Sequence, residues 1–148
     1  MGVVLGLGLA LPAVGAVQEQ RVSYGDGDAV LTGFTYWDDQ FSEPPPGVLV
    51  VHEWWGLNEY AKQRARKLAE AGYLAMAIDM YGDNRVTEHP DQAKGWMQAI
   101  TANQKAWQRR AAAGLAQLTA VQGVDVQRLA AIGYCFGGAT VLEMAYAG

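Results

Sequence analysis

The chain has 148 residues, 51% of them hydrophobic, with 11 basic against 15 acidic side chains and a formal net charge of −4. That length suits one domain, and the apolar content excludes a disordered chain, since there is enough apolar surface to offset chain entropy. The mild acidity offers no basic footprint for nucleic acid or an anionic membrane surface. A single cysteine, Cys135, excludes an intramolecular disulfide and any CxxC site. Two histidines, His52 and His89, leave little material for a multi-histidine metal centre.

Residues 1–16, MGVVLGLGLALPAVGA, carry no charged side chain and are followed at once by the polar VQEQR. The run is too short for a membrane-spanning helix, which needs about 20 residues. It has the size of a signal-peptide apolar region, with small residues at Val14-Gly15-Ala16 for cleavage, although no Lys or Arg precedes it. The expectation is export to the periplasm or beyond, with a mature chain from Val17. The alternatives are a buried first strand, or a misplaced start codon and a cytoplasmic protein.

From Gln20 to Trp37 the pattern predicts a hairpin, Arg21–Tyr24 and Ala29–Thr32 flanking the turn cluster Gly25-Asp26-Gly27-Asp28. Pro44-Pro45-Pro46 interrupts regular structure. Residues 47–52, GVLVVH, form a continuous apolar run, as in a strand buried on both faces of a parallel sheet. Residues 58–71 predict a helix with an apolar stripe of Ala61, Ala65, Leu68 and Ala69, Asn58 as N-cap and Gly72 as the stop. Tyr73 to Ile78 is a second buried strand ending at Asp79, and 81–90 a polar loop. Residues 91–121 are helical in pattern, broken near Thr101–Asn103. After a turn at Gly123-Val124-Asp125, Leu129–Gly133 is a third buried strand, and Gly137 begins a last helix.

A hairpin followed by alternating strands and helices predicts an α/β three-layer sandwich with a mostly parallel central sheet. In such sheets chemistry gathers at the carboxyl ends of the strands, here after His52, Asp79 and Tyr134. Gly133-Tyr134-Cys135-Phe136-Gly137-Gly138 stands at one of these ends with the form G-x-nucleophile-x-G. A sharp strand-to-helix turn holds the nucleophile in a strained conformation, and Gly133 and Gly137 remove side chains that would collide. Cys135 then sits at a helix N-terminus that favours thiolate, and the Phe136 N–H is aimed at a developing oxyanion. Read alone, a lone cysteine is a small buried hydrophobe; the strand before and helix after favour the nucleophile. The pattern is neither a phosphate-binding P-loop nor GxGxxG.

The second constellation is His52-Glu53-Trp54-Trp55-Gly56-Leu57-Asn58. Gly56 stands where HExxH needs its second histidine, so the metalloprotease reading fails. In an α/β-hydrolase layout this loop supplies the second oxyanion donor, for which the Trp54 N–H is the candidate, and Glu53 faces the nucleophile. Trp37, Trp54, Trp55 and Tyr81 are candidates to line a hydrophobic pocket, or plain packing. His52 reads as a loop-shaping residue, and His89 as a solvated one.

HEWWGLN at a strand end, the later DMYG and the elbow GYCFGG together resemble the dienelactone hydrolase family of α/β-hydrolases, over most of residues 20–148. The resemblance implies a cysteine nucleophile at Cys135 and a glutamate at Glu53 that takes part in thiol activation. It implies oxyanion N–H groups at Trp54 and Phe136 and a lactone or ester opened through an acyl-enzyme without cofactor. The arginine that some members use for a substrate carboxylate is not carried over: Asp83 stands near its place and Arg85 slightly later.

The family's acid and histidine follow the nucleophile, whereas residues 136–148 contain neither Asp nor His. The expectation is therefore a partial hydrolase domain over 17–148, truncated after the elbow and acting on a small ester or lactone only when completed. The competing readings are a non-catalytic α/β binding domain, or a half-domain completed by a partner chain. Substrate identity and oligomeric state are not legible.

Overall fold

The computed structural model describes residues 15–148, so all but the end of the expected leader lies outside the described residues. Two ten-residue strands, β1 (Val17–Asp26) and β2 (Ala29–Asp38), form an antiparallel hairpin in continuous register from Val17↔Asp38 to Asp26↔Ala29. The strands run further inward than the turn cluster suggested, leaving Gly27 and Asp28 as the loop. Gly27, at φ +61°, takes the left-handed conformation that a two-residue hairpin loop demands. β3 (Pro46–Val51), β4 (Leu74–Ile78) and β5 (Asp125–Gly133) follow, and the sheet order is β1-β2-β4-β3-β5. β3 pairs in parallel with β4 and β5, while β2 adds to β4 antiparallel. The sheet is thus mixed, with its parallel portion at the end that carries the chemistry-bearing loops.

The layers follow from side-chain size. α1 (Glu59–Glu70) lays Ala61, Ala65 and Ala69 on one sheet face, against Tyr36, Val50, Ala75 and Ala77. Small residues at this spacing let a helix approach a sheet closely, and Asn58 caps the helix by accepting from the Ala61 N–H at 3.3 Å. On the other face Leu49, Val51, Met76 and Ile78 pack with Ile100 of α2 (Pro90–Thr101), Ala111 and Leu118 of α3 (Gln104–Thr119) and Phe136 of α4 (Phe136–Ala147). The break between α2 and α3 falls at Ala102-Asn103, and the Asn103 side chain caps α3 through the Ala106 N–H.

One expectation is overturned. β5 is not a buried strand: most of its residues are exposed, Val126 at 48%. Its apolar composition suits a two-sided interior, but among the described residues it pairs only with β3 and forms a sheet edge. Burial depends on neighbours that strand composition does not supply.

A second long-range feature ties the hairpin to the helical layer. The buried Asp26 carboxylate accepts from Arg109 Nε at 2.5 Å and Arg110 Nε at 3.1 Å, while Arg110 Nη1 donates to the Met80 carbonyl at 3.3 Å. Burial acts to raise the Asp26 pKa, but the two guanidinium groups win and hold it below the usual carboxylate range.

Candidate active site

The elbow follows from backbone sterics. β5 ends at Gly133, α4 begins at Phe136, and Cys135 between them has φ +55° and ψ −115°. A non-glycine residue at positive φ is strained, and it persists only where its surroundings over-determine it. Those surroundings are visible in the flanking glycines. A Cβ on Gly133 would stand 2.2 Å from the Gly137 carbonyl, and one on Gly137 would stand 2.3 Å from the Val51 oxygen. The helix start is thus pressed onto both its own strand and β3. Cys135 is exposed at the apex.

The loop after β3 comes to the same end of the sheet. His52, 1% exposed, accepts from the Met80 N–H at Nε2 (3.1 Å), while Nδ1 stands 2.5 Å from the Glu53 carbonyl oxygen. Burial pushes its pKa down, only partly opposed by the Glu53 carbonyl and the Asp79 charge, so the ring is neutral. Both nitrogens are engaged, which makes His52 the loop-shaping residue expected and removes it as a proton acceptor for Cys135. His89 is an exposed residue at the N-terminus of α2. Glu53, Trp54 and Trp55 are half-buried, and the two indoles meet edge to face at 5.0 Å. Trp37 does not join them. It lines a separate cleft of about 560 Å³ with Phe41, Pro44, Pro45, Leu74 and Val121, at the amino ends of β3 and β4. β2 runs antiparallel to β4, which carries its last residues to the end away from Cys135.

Sequence reasoning missed the work of the loop after β4. Asp79 is buried and accepts from the N–H groups of Tyr81, Gly82 and Asn84 at 2.8–2.9 Å. It thereby holds a tight loop in which Gly82, Asp83 and Asn84 all have positive φ. The signal was present in the residue types, because Gly, Asp and Asn tolerate that conformation best. Tyr81 then links the three loops. Its hydroxyl donates to the Trp54 carbonyl at 3.0 Å, and its ring lies 4.9 Å from His52 and stacks at 5.5 Å on Phe136. Burial, with the nearby Cys135, pushes its phenol pKa far up, so the hydroxyl remains a donor. Arg85 is committed to the same loop, donating to the Tyr81 and Gly82 carbonyls and lying over the Trp96 ring at 5.5 Å.

The N–H groups of Trp54 and Phe136 are among the backbone donors at this end that have no hydrogen-bond partner among the described residues. Of the amides around them, the Gly56 N–H donates to the Glu53 carbonyl and the Gly137 N–H to that of Tyr134, while those of Trp55, Cys135 and Gly138 also have no partner among the described residues.

A mixed sheet covered by helices on both faces, with a strained cysteine at a strand-to-helix elbow, defines an α/β-hydrolase fold. The dienelactone hydrolase family model matches residues 31–148, and the chain belongs to that family. Among solved structures it is similar to one described as m3DLH, 42% identical with a TM-score of 0.86, covering 90% of this chain and 55% of that one. A dienelactone hydrolase-like promiscuous phosphotriesterase from metagenomic libraries is 44% identical, with a TM-score of 0.85 and the same coverage. An Escherichia coli K12 protein named "Putative carboxymethylenebutenolidase" is 31% identical over 128 residues, covering 75% of this chain and 46% of its own length. The chain thus spans about half the length of the relatives it matches.

Proposed function

We propose that this chain carries the nucleophile and oxyanion donors of an enzyme that hydrolyses a small ester or lactone through a cysteine acyl-enzyme. The observation that carries the reading is Cys135 itself, exposed at positive φ where α4 begins, a strained placement that a structural thiol does not need. In the proposed step the Cys135 thiolate forms a bond to the carbonyl carbon. The carbonyl electron pair moves onto oxygen, where the Trp54 and Phe136 N–H groups receive it. Collapse expels the alkoxide, which takes a proton, and leaves a thioester on Cys135 that water then cleaves. Glu53 assists loss of the thiol proton, and the half-buried indoles of Trp54 and Trp55 in the post-β3 loop meet the acyl group. The names of the relatives support an ester or lactone as substrate. Export is proposed on the leader-like segment alone; cleavage after Ala16 would leave β1 whole, since that strand opens at Val17.

With both nitrogens of His52 engaged, the proton acceptor for thioester hydrolysis is proposed to come from outside residues 15–148. The test has two parts. Iodoacetamide added to the native protein, followed by mass spectrometry, is expected to label Cys135 rapidly, and more slowly in Glu53→Ala or with a lactone present. A thiol that labels only after denaturation overturns the nucleophile reading in favour of a binding domain. With p-nitrophenyl acetate this chain is expected to release about one equivalent of nitrophenolate and then stall. Sustained turnover at ordinary esterase rates, roughly 1–10³ s⁻¹, would show that the chain already holds its base.

A further inference from the structure

We propose that His52 is the positioning residue of the oxyanion site: its Nδ1–H anchors the Glu53 carbonyl and so aims the Trp54 N–H at the reacting carbonyl. The inference rests on the acyl-transfer reading above and adds a residue to it. The tautomer follows from the partners. Met80 offers an N–H, so Nε2 accepts and carries no proton; the proton of the neutral ring is therefore on Nδ1, directed at the Glu53 oxygen 2.5 Å away. The carbonyl of Glu53 and the N–H of Trp54 belong to one planar peptide unit, which is trans, so the two groups point in opposite directions. A bond that pins the oxygen on the inner side therefore sets the direction of the hydrogen on the outer side. Gly56 N–H, at 3.3 Å from the same oxygen, and the Tyr81 hydroxyl, at 3.0 Å from the Trp54 oxygen, hold the flanks of that unit. The ring also touches the other half of the site, its centroid lying 5.9 Å from that of Phe136. A bond to the carbonyl further polarises the amide and strengthens its N–H as a donor. Packing alone does not account for an imidazole here. The adjoining strand residues are Val and Leu, and a buried ring with two polar atoms is costly unless both are used.

The test separates aim from folding by comparing two reactions of the same thiol. Alkylation by iodoacetamide is displacement at a saturated carbon and develops no oxyanion, whereas acylation by p-nitrophenyl acetate passes through one. The ratio of the two second-order rate constants cancels changes in thiol ionisation. His52→Asn places an amide N–H where Nδ1 stands and loses the acceptor for Met80. His52→Gln keeps an acceptor near Nε2 and loses the donor. The expected result is an acylation-to-alkylation ratio within about threefold of the parent for His52→Asn and about tenfold or more below it for His52→Gln, the scale set by loss of an oxyanion donor. Equal ratios in the two variants, whether retained or lowered, overturn the proposal, because a residue that only ties β3 to β4 makes no distinction between them. Should His52→Gln not fold, His52→Asn decides alone: a retained ratio supports the donor role and a tenfold fall overturns it. A parent ratio no greater than that of N-acetylcysteine is a different failure, that of the acyl-transfer reading, and removes both together.

Discussion

Within the elbow, three glycines that look alike in the motif carry unequal burdens. Gly133 and Gly137 have no room for a Cβ, each facing backbone atoms at 2.2–2.3 Å that cannot swing aside, while a Cβ on Gly138 would meet its nearest atom at 3.4 Å, an ordinary contact. Gly137→Ala is therefore expected to lower stability by at least about 1–3 kcal/mol, the usual cost of overpacking, and to slow Cys135 labelling by displacing α4. Gly138→Ala should leave both within about 0.5 kcal/mol and twofold of the parent, being a well-spaced change near a helix start. Urea midpoints and iodoacetamide rates on the two variants check this. The motif named the elbow, but only the approach of α4 to Val51 separates the glycine that excludes a methyl from the one that admits it.

At the scale of elements, caps and clamps differ in how local they are. Asn58 is a local device, readable from its place before the apolar stripe of α1; Asn58→Ala is expected to cost about 1 kcal/mol in the urea midpoint. The Asp26 clamp joins the hairpin to α3 across more than eighty residues of chain, and no spacing rule reveals it. Its folded-state pKa is depressed, so the carboxylate contributes stability above the unfolded value of about 3.9 and loses it as pH falls through the folded value. Asp26→Asn is thus expected to destabilise at pH 7 by about 1–3 kcal/mol, the range for a charged hydrogen bond. The gap between variant and parent should shrink below about pH 4, and melts between pH 3 and 7 would show a constant gap if the clamp did not matter.

Across the whole molecule the dominant feature is the edge formed by β5. It exposes Val126 and Leu129 on a strand edge that is unpaired among the described residues, and α4 beyond it exposes Leu142 and Tyr146. An apolar unpaired edge is a template for association. This chain is expected to scatter light increasingly with concentration, and Val126→Lys to reduce that scattering at equal protein concentration while leaving iodoacetamide labelling of Cys135 unchanged. A parent that stays monomeric at high concentration by sedimentation would contradict it.

The chain order of strands and helices, the cap at Asn58, the helix break near Asn103 and the elbow at Cys135 were legible because each is written within a few residues, in periodicity and in conformational preference. The family resemblance was legible for the same reason, resting on short segments at three strand ends. What the tertiary structure alone decided lies between segments distant in sequence. It left β5 at an edge despite its apolar composition, and it carried Trp37 to the end of the sheet away from Cys135. It also used both nitrogens of His52 on two different loops and left the Trp54 and Phe136 amides without partners among the described residues. Burial and hydrogen-bond partnership are properties of pairs of segments, and a local pattern encodes only its own half of each pair.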